Sequence, residues 1–269
     1  MPLPEHFHRF WRALDDLLGD VQPTWWGAAV TDARFPRIWD ANYARIDVAS
    51  EDLRAADVEA ELLPALAKTG ASVMHVVAFH PEETTTLLSE LSTRGHRIGW
   101  DVVMDLAGDP SPDDGDAAGP AVEELSPDRD VWAAIEASMA LFGIDSADAI
   151  AQLLRLEEEV LMRGGRRWFG VRDPDGALAS LGALLELEGV GYLDNVATFP
   201  ASRGRGYASA LTARLSREAT EGGASHVCLL VDPDSSALRM YERLGFRTVG
   251  RLGSTKGPIP TQTATYSIS

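Results

Sequence analysis

The sequence predicts a mixed α+β protein in two parts, and three observations predict it. Apolar runs fit for strands alternate with amphipathic runs fit for helices in both halves. Between the halves lies a stretch, residues 107–120, AGDPSPDDGDAAGP, rich in Pro, Gly and Asp and without apolar period. In the second half, three strand-like runs are joined by tight turns at Asp175-Gly176 and Glu188-Gly189, the mark of antiparallel hairpins. The expected layout is a first domain at 1–106, a linker at 107–120 and a second domain at 121–269.

The first half opens on a helix over residues 7–18, with Phe7, Phe10, Trp11, Leu14, Leu17 and Leu18 at helical spacing. His6 and His8, at its start, are a lone pair without a Cys or carboxylate ligand set, so they read as surface or tag-like residues and no metal is expected. Trp25 and Trp26 lead into strand-like segments. A helix over 53–69 ends at Gly70, a buried strand spans 72–79, a helix over 81–94 is closed by Gly95, and a strand covers 97–106. The second half holds a short strand at 121–125, helices at 130–142 and 147–162, and strands at 168–172, 178–187 and 190–198. A helix over 206–221, a strand at 226–232, a helix at 235–244 and closing strands at 246–252 and 262–268 follow. The basic turn Arg163-Gly164-Gly165-Arg166-Arg167 reads as a helix C-terminus complementing its dipole.

Composition narrows the function. Against 24 Lys and Arg stand 41 Asp and Glu, a net charge of −17, with no basic patch of the size nucleic acid needs. The acidic balance suits a cationic substrate, and suits solubility equally well. The single cysteine, Cys228, sits in an apolar strand-like run; no disulfide can form within one chain, which fits a reducing cytoplasm. The first residues lack the apolar core of a signal peptide, and no apolar run is long enough to span a membrane.

One stretch states a chemistry: residues 193–211, LDNVATFPASRGRGYASAL, a strand, a glycine-rich turn and a helix. Arg203, Gly204, Arg205 and Gly206 stand in the turn, with Tyr207 and Ala208 opening the helix. Glycine lets backbone approach a ligand, and a helix N-terminus presents free N–H groups and partial positive charge to an anion. The physical reading is a phosphate or pyrophosphate cradle. A dinucleotide fold is the rival, but its third glycine position holds Ser209 and the turn follows hairpins instead of opening a βαβ unit.

Arg203-x-x-Gly206-x-Ala208 after a strand resembles the [Q/R]-x-x-G-x-[G/A] acetyl-CoA signature of the GNAT superfamily of N-acetyltransferases. Ser236-Ala237-x-x-x-Tyr241-x-x-x-Gly245-Phe246 looks like the second segment of that family, with Asp234 where Asn is usual. The resemblance covers roughly the last 150 residues. It implies a GNAT fold: a central, mostly antiparallel, splayed sheet flanked by helices. It also implies transfer of an acetyl group from acetyl-CoA directly to a primary amine, with no metal. The splayed strand would offer the backbone of Val196, Ala197 and Thr198 to the pantetheine arm, and Arg203 to Ala208 would cradle the pyrophosphate. The two helices at 130–142 and 147–162 would wall the acceptor site.

The chemistry asks for a base and an acid. An alkyl amine of pKa about 10.4 is neutral only about a thousandth of the time at pH 7.4, a cost of about 4 kcal/mol. Strand alternation puts Tyr192, Asp194 and Val196 on one face, so Asp194 is the candidate base, or else a polar residue satisfying a strand edge; Glu186 and Glu188 are weaker candidates. Tyr241 matches the acid of the family and would protonate the leaving thiolate. Cys228 has no His at motif spacing, so no covalent step is assigned to it. The acceptor stays open between a small molecule and a protein lysine, the oligomeric state admits a homodimer, and a non-catalytic acyl-CoA-binding module is the alternative.

The first half repeats features of the second. Gly70-Ala71-Ser72 matches Gly223-Ala224-Ser225, Asn42 matches Asn195, and Gly95 matches Gly245. Where the second half has Arg203 to Gly206, the first has Ser50-Glu51-Asp52-Leu53, and Leu91 stands where Tyr241 would be. Two carboxylates and no glycine would repel a pyrophosphate. The first half is therefore expected to be a degenerate GNAT-like copy that helps shape the acceptor cleft.

Overall fold

The structure is a computed structural model that describes residues 2–108 and 120–260. The linker stretch 109–119 and the closing strand expected at 262–268 lie outside the described residues. Helix α1 (Glu5–Leu18) is followed by strands β1 (Asp20–Thr24), β2 (Gly27–Thr31) and β3 (Tyr43–Ile46). Then come α2 (Ala55–Thr69), β4 (Val73–Ala78), α3 (Thr85–Thr93) and β5 (Arg97–Leu106). The rest comprises β6 (Val122–Leu125), α4 (Arg129–Met139), α5 (Ala147–Leu156), β7 (Arg167–Arg172), β8 (Leu178–Leu187), β9 (Val190–Thr198), α6 (Tyr207–Glu221), β10 (His226–Val231), α7 (Ala237–Arg243) and β11 (Phe246–Pro258). The periodicities located nearly all of these elements. The helix expected to run to 162 instead changes at Glu157–Leu161 into a π turn.

The chain forms two compact units, cut differently from the sequence boundaries. Among the described residues, the first joins 2–20 to 100–252 and the second joins 21–99 to 253–260. In the first, the strand order is β11, β5, β10, β9, β8, β7, β6. Every recorded pair in it is antiparallel except β9 with β10. This division differs from the expected linker at 107–120 because β5 is an interior strand of this unit, with Val102 opposite Val231 and Asp105 opposite Cys228. Pattern fixed where β5 lies in sequence, but not which neighbours would cover its edges.

The first unit has cores on two groups of elements. Leu193 of β9, Leu211 and Leu215 of α6, Leu229 of β10, Tyr241 of α7 and Phe246 of β11 form one. Val131, Ile135 and Met139 of α4 with Trp168, Leu181 and Ala183 form the other. Helix α6 buries Leu211, Leu215 and Ala219, three positions four apart on one stripe. It lies so close to β9 that a Cβ on Gly191 would stand 2.4 Å from that of Ala219. Only glycine fits that contact.

The second unit is smaller. Strand β3 pairs with β2 antiparallel and with β4 parallel, and the second half of β11 runs antiparallel to β4 from Gly253 opposite Ala78 to Pro258 opposite Val73. Its core is built on Trp26, Ile46, Leu62, Leu66, Met74 and Leu91. Among the described residues, no helix is long and apolar enough to cross a membrane.

Candidate active site

The site begins with a fault in β9. Leu181 faces Ala197 and Ala183 faces Asp194, so two steps along β8 answer three along β9. The extra residue is a β-bulge at Asn195, whose φ is 52°. Asparagine tolerates the left-handed region better than most residues. The bulge corrects the expected alternation. Tyr192 packs against the rings of Phe10 and Trp11 of α1, and Asp194 meets Arg166, but Val196 packs into the core under α6. Val196 therefore does not share a face with Tyr192 and Asp194.

Next to the bulge the sheet opens. Strand β10 pairs with β9 from His226 opposite Val190 to Leu229 opposite Leu193, and there the pairing ends. On its other edge β9 stays zipped to β8 as far as Thr198 opposite Ser180. The buried Ser180 hydroxyl locks that edge, donating to the Ala197 carbonyl at 2.8 Å and lying 2.9 Å from the Thr198 hydroxyl. Beyond Leu193, β9 thus turns an unladdered backbone edge toward the gap, the splay the resemblance implies.

The gap leads to the turn before α6. A short 3-10 turn, Pro200–Ser202, carries the chain round, and the Arg203 Nε donates to the Thr198 carbonyl at 3.2 Å. Gly204 and Gly206 have φ of 76° and 78°, and a Cβ on either would meet nothing within 4 Å. These glycines supply the left-handed backbone of the turn and leave its outer side open. Gly206 is the cap residue of α6, and no side chain caps this helix. The first-turn N–H groups of Tyr207, Ala208 and Ser209 are left to a ligand or to water.

A cavity of about 680 Å³ joins these parts. Val196, Ala197, Thr198, Arg203, Gly204, Gly206, Tyr207 and Ala208 line it, together with Tyr241. Two expected site residues do not: Arg205 is exposed on the turn, and Asp194 lies off the lining. The cavity also takes in residues that the motif reading did not single out as ligands: Leu141 and Phe142 after α4, Ser236 ahead of α7, and Ala237, Met240 and Arg243 on it. Phe142, at 50% exposed, is one of the few large apolar side chains left open to water. Asp234, the departure from the family pattern, is exposed, and its N–H donates to Asp232 Oδ1 at 2.8 Å.

Tyr241 is 6% exposed and packs edge-on to Phe246. Burial, and then the charge of Asp194, push its pKa up to about 12. Both causes disfavour the phenolate, so the hydroxyl keeps its proton throughout the neutral range.

Asp194 is held. Its Oδ2 accepts from Arg166 Nη2 at 2.5 Å, and its Oδ1 accepts from the N–H of Asn195 at 2.8 Å. Arg166 is itself buried, sits 3.6 Å from Glu157 of the π turn, and lies over the Trp168 ring. The Trp168 indole N–H donates to the same Glu157 oxygen at 2.6 Å. Burial works against the Arg166 charge, but the two carboxylates outweigh it and keep the guanidinium charged. Arg166 is thus a buried bridge between two acids, where the sequence reading makes it part of a basic turn complementing a helix dipole. Arg167 next to it pairs with Glu124, Glu186 and Glu218, which also removes Glu186 from the field of free bases. Glu188 is a turn residue with φ of 52°.

The second unit differs at the matching places. The N–H groups of Arg54 and Ala55, at the start of α2, donate to Asp57 and Glu90 carboxylates at 2.9 and 2.8 Å. Strands β3 and β4 stay paired to Ile46 opposite Ala78, and the N–H of Phe79 still donates to Ile46. Asn42 is buried, bonded through its side chain to Asp32, Phe35 and Ile38, and does not have the bulge conformation of Asn195.

Comparison with known proteins agrees with this geometry. Residues 170–252 match the family model described as FR47-like protein. No curated protein matches the chain. The GCN5-related N-acetyltransferase from Kribbella flavida is 19% identical, with 81% of this chain and 82% of that one covered and a TM-score of 0.55. A tandem GNAT protein from the clavulanic acid biosynthesis pathway is 16% identical, over 81% of this chain and 76% of that one, at a TM-score of 0.55. A GNAT-family chain from Novosphingobium aromaticivorans is 25% identical over 60% of this chain. It has a TM-score of 0.45, and the match spans 64% of that chain, less than two thirds of its length. The fold is that of the GNAT N-acetyltransferases, and residues 170–252 match the FR47-like model.

Proposed function

We propose that the first unit is an acetyl-CoA-dependent N-acetyltransferase that moves an acetyl group directly to a primary amine. The observation that carries this reading is the meeting of three features on one cavity: the opened edge of β9, the uncapped start of α6, and the protonated phenol of Tyr241. The α6 N–H groups and Arg203 hold the pyrophosphate. The unladdered backbone from Val196 to Thr198 aligns the pantetheine amides. The amine nitrogen attacks the thioester carbonyl, the C–S bond breaks, and Tyr241 gives its proton to the leaving sulfur.

Asp194 serves as a positioning residue in this reading, because both its oxygens are engaged and its partner is a permanently charged guanidinium. With both oxygens engaged it is not free to take the amine proton, which leaves through water. Leu141, Phe142 and Met240 give the acceptor end an apolar rim. The second unit carries no cofactor, since carboxylates of its own occupy the start of α2.

Release of free thiol from acetyl-CoA, followed over a panel of small amines, amino acids and lysine peptides, tests the proposal. Thiol release that depends on an amine supports it. Tight acetyl-CoA binding with no turnover on any amine would make the chain a non-catalytic binding module instead.

A further inference from the structure

Away from that cavity, three residues from distant parts of the chain meet: His6 on α1, Asp105 on β5 and His226 at the start of β10. All three belong to the first unit. Their ligand atoms lie within 4.8 Å of one another. His6 Nε2 is 2.9 Å from Asp105 Oδ2, and His226 Nδ1 is 3.6 Å from that oxygen. The two imidazoles are stacked, 3.6 Å between centroids and 7° from parallel.

The pairing of His6 with Asp105 uses one carboxylate oxygen and leaves the other over. Asp105 Oδ1 is buried without a hydrogen-bond partner. The parallel rings aim their lone pairs in separate planes, so binding one cation turns a ring out of the stack. Two imidazole nitrogens and one carboxylate oxygen are a zinc-type donor set. Metal–ligand bonds of about 2.0–2.2 Å at tetrahedral angles put ligand atoms roughly 3.3–3.5 Å apart. The two separations to Asp105 Oδ2 bracket that value.

We propose that His6, Asp105 and His226 bind one divalent transition metal, zinc by donor chemistry, with water completing the shell on the side where His226 is 40% exposed. The site sits where β10 is paired to β9, at the opposite end of β10 from the opened sheet. Its role is structural. The chain leaves the first unit after Asp20 and returns at Trp100, and the metal ties the leading helix to the two strands it must rejoin. Binding only the folded state, it raises stability by mass action. This also revises the reading of His6 as a partnerless surface residue: its partners lie far away in sequence.

The test uses the full chain without an affinity tag, stripped with a chelator and titrated with zinc chloride against a chromophoric competitor. Metal content is measured on the untreated protein, and thermal melts are run with and without zinc. The expected result is one zinc per chain and a melting temperature raised by the metal. Asp105→Asn and His226→Gln should bind at least a hundredfold more weakly, with melts indifferent to zinc. His226 is the more exposed ligand, so its variant keeps the test readable if Asp105→Asn fails to fold. Absence of saturable one-to-one binding overturns the proposal, as does wild-type affinity in folded His226→Gln.

Discussion

Arg166 donates to Asp194 at 2.5 Å immediately before the bulge residue, and the other oxygen of that carboxylate accepts the bulge N–H of Asn195. The buried guanidinium therefore holds the irregularity of β9 that opens the sheet. Replacing Arg166 by Met leaves Glu157 and Asp194 without their cation. Losing one partner of a buried pair costs about 3–5 kcal/mol. Arg166→Met should melt well below the wild type and bind acetyl-CoA more weakly. Asp194→Asn should also destabilise, but the pH profile of amine turnover should keep its shape. Loss of the acidic limb in Asp194→Asn would restore the base role to that residue.

Tyr241 is the proton donor in this account. Tyr241→Phe should lower kcat at least tenfold and change acetyl-CoA affinity little, as measured by steady-state kinetics beside direct binding. With the Tyr241 pKa at about 12, the acid form persists as pH rises. Turnover should therefore climb as the amine loses its proton and then level off, with no falling limb below about pH 11. An unchanged kcat in Tyr241→Phe would take the phenol out of the mechanism.

The left-handed backbone of Gly206 sets the start of α6. Alanine there meets no atom but carries the strain of a positive φ, about 1–2 kcal/mol. Gly206→Ala should weaken acetyl-CoA binding by roughly tenfold, with little effect on the amine KM. Calorimetry reads the first and kinetics the second; equal affinity would separate the turn from the cofactor.

A fragment of residues 120–269 lacks α1 and β5, both parts of the first unit. It removes the strand that pairs with β10 through Asp105, Met104, Val103 and Val102. The fragment should be insoluble or inactive for that reason, whatever the second unit contributes. A soluble, cooperatively melting fragment would show that β5 is dispensable.

What the sequence disclosed was local. The turns at Glu188-Gly189 and Gly204 to Gly206, the stripe of α6 and the tyrosine of α7 are each written in a few neighbouring residues. What it hid was long-range or irregular. Asn195 breaks the alternation that placed Val196 beside Asp194, and its one trace is that asparagine tolerates a positive φ. Arg166 reads as a helix-end charge until the turn ahead of β7 sets it between Glu157 and Asp194. The interior place of β5 and the meeting of His6 with Asp105 depend on which chain segments pair, and hydrophobic period does not record pairing partners.

The measurement that bears most directly on the central claim is calorimetric titration of the full chain with acetyl-CoA. One site per chain is expected, weakened in Gly206→Ala and kept in Tyr241→Phe. Two sites would contradict the reading of the second unit, and no binding would leave the GNAT fold without its cofactor and remove the basis for acetyl transfer.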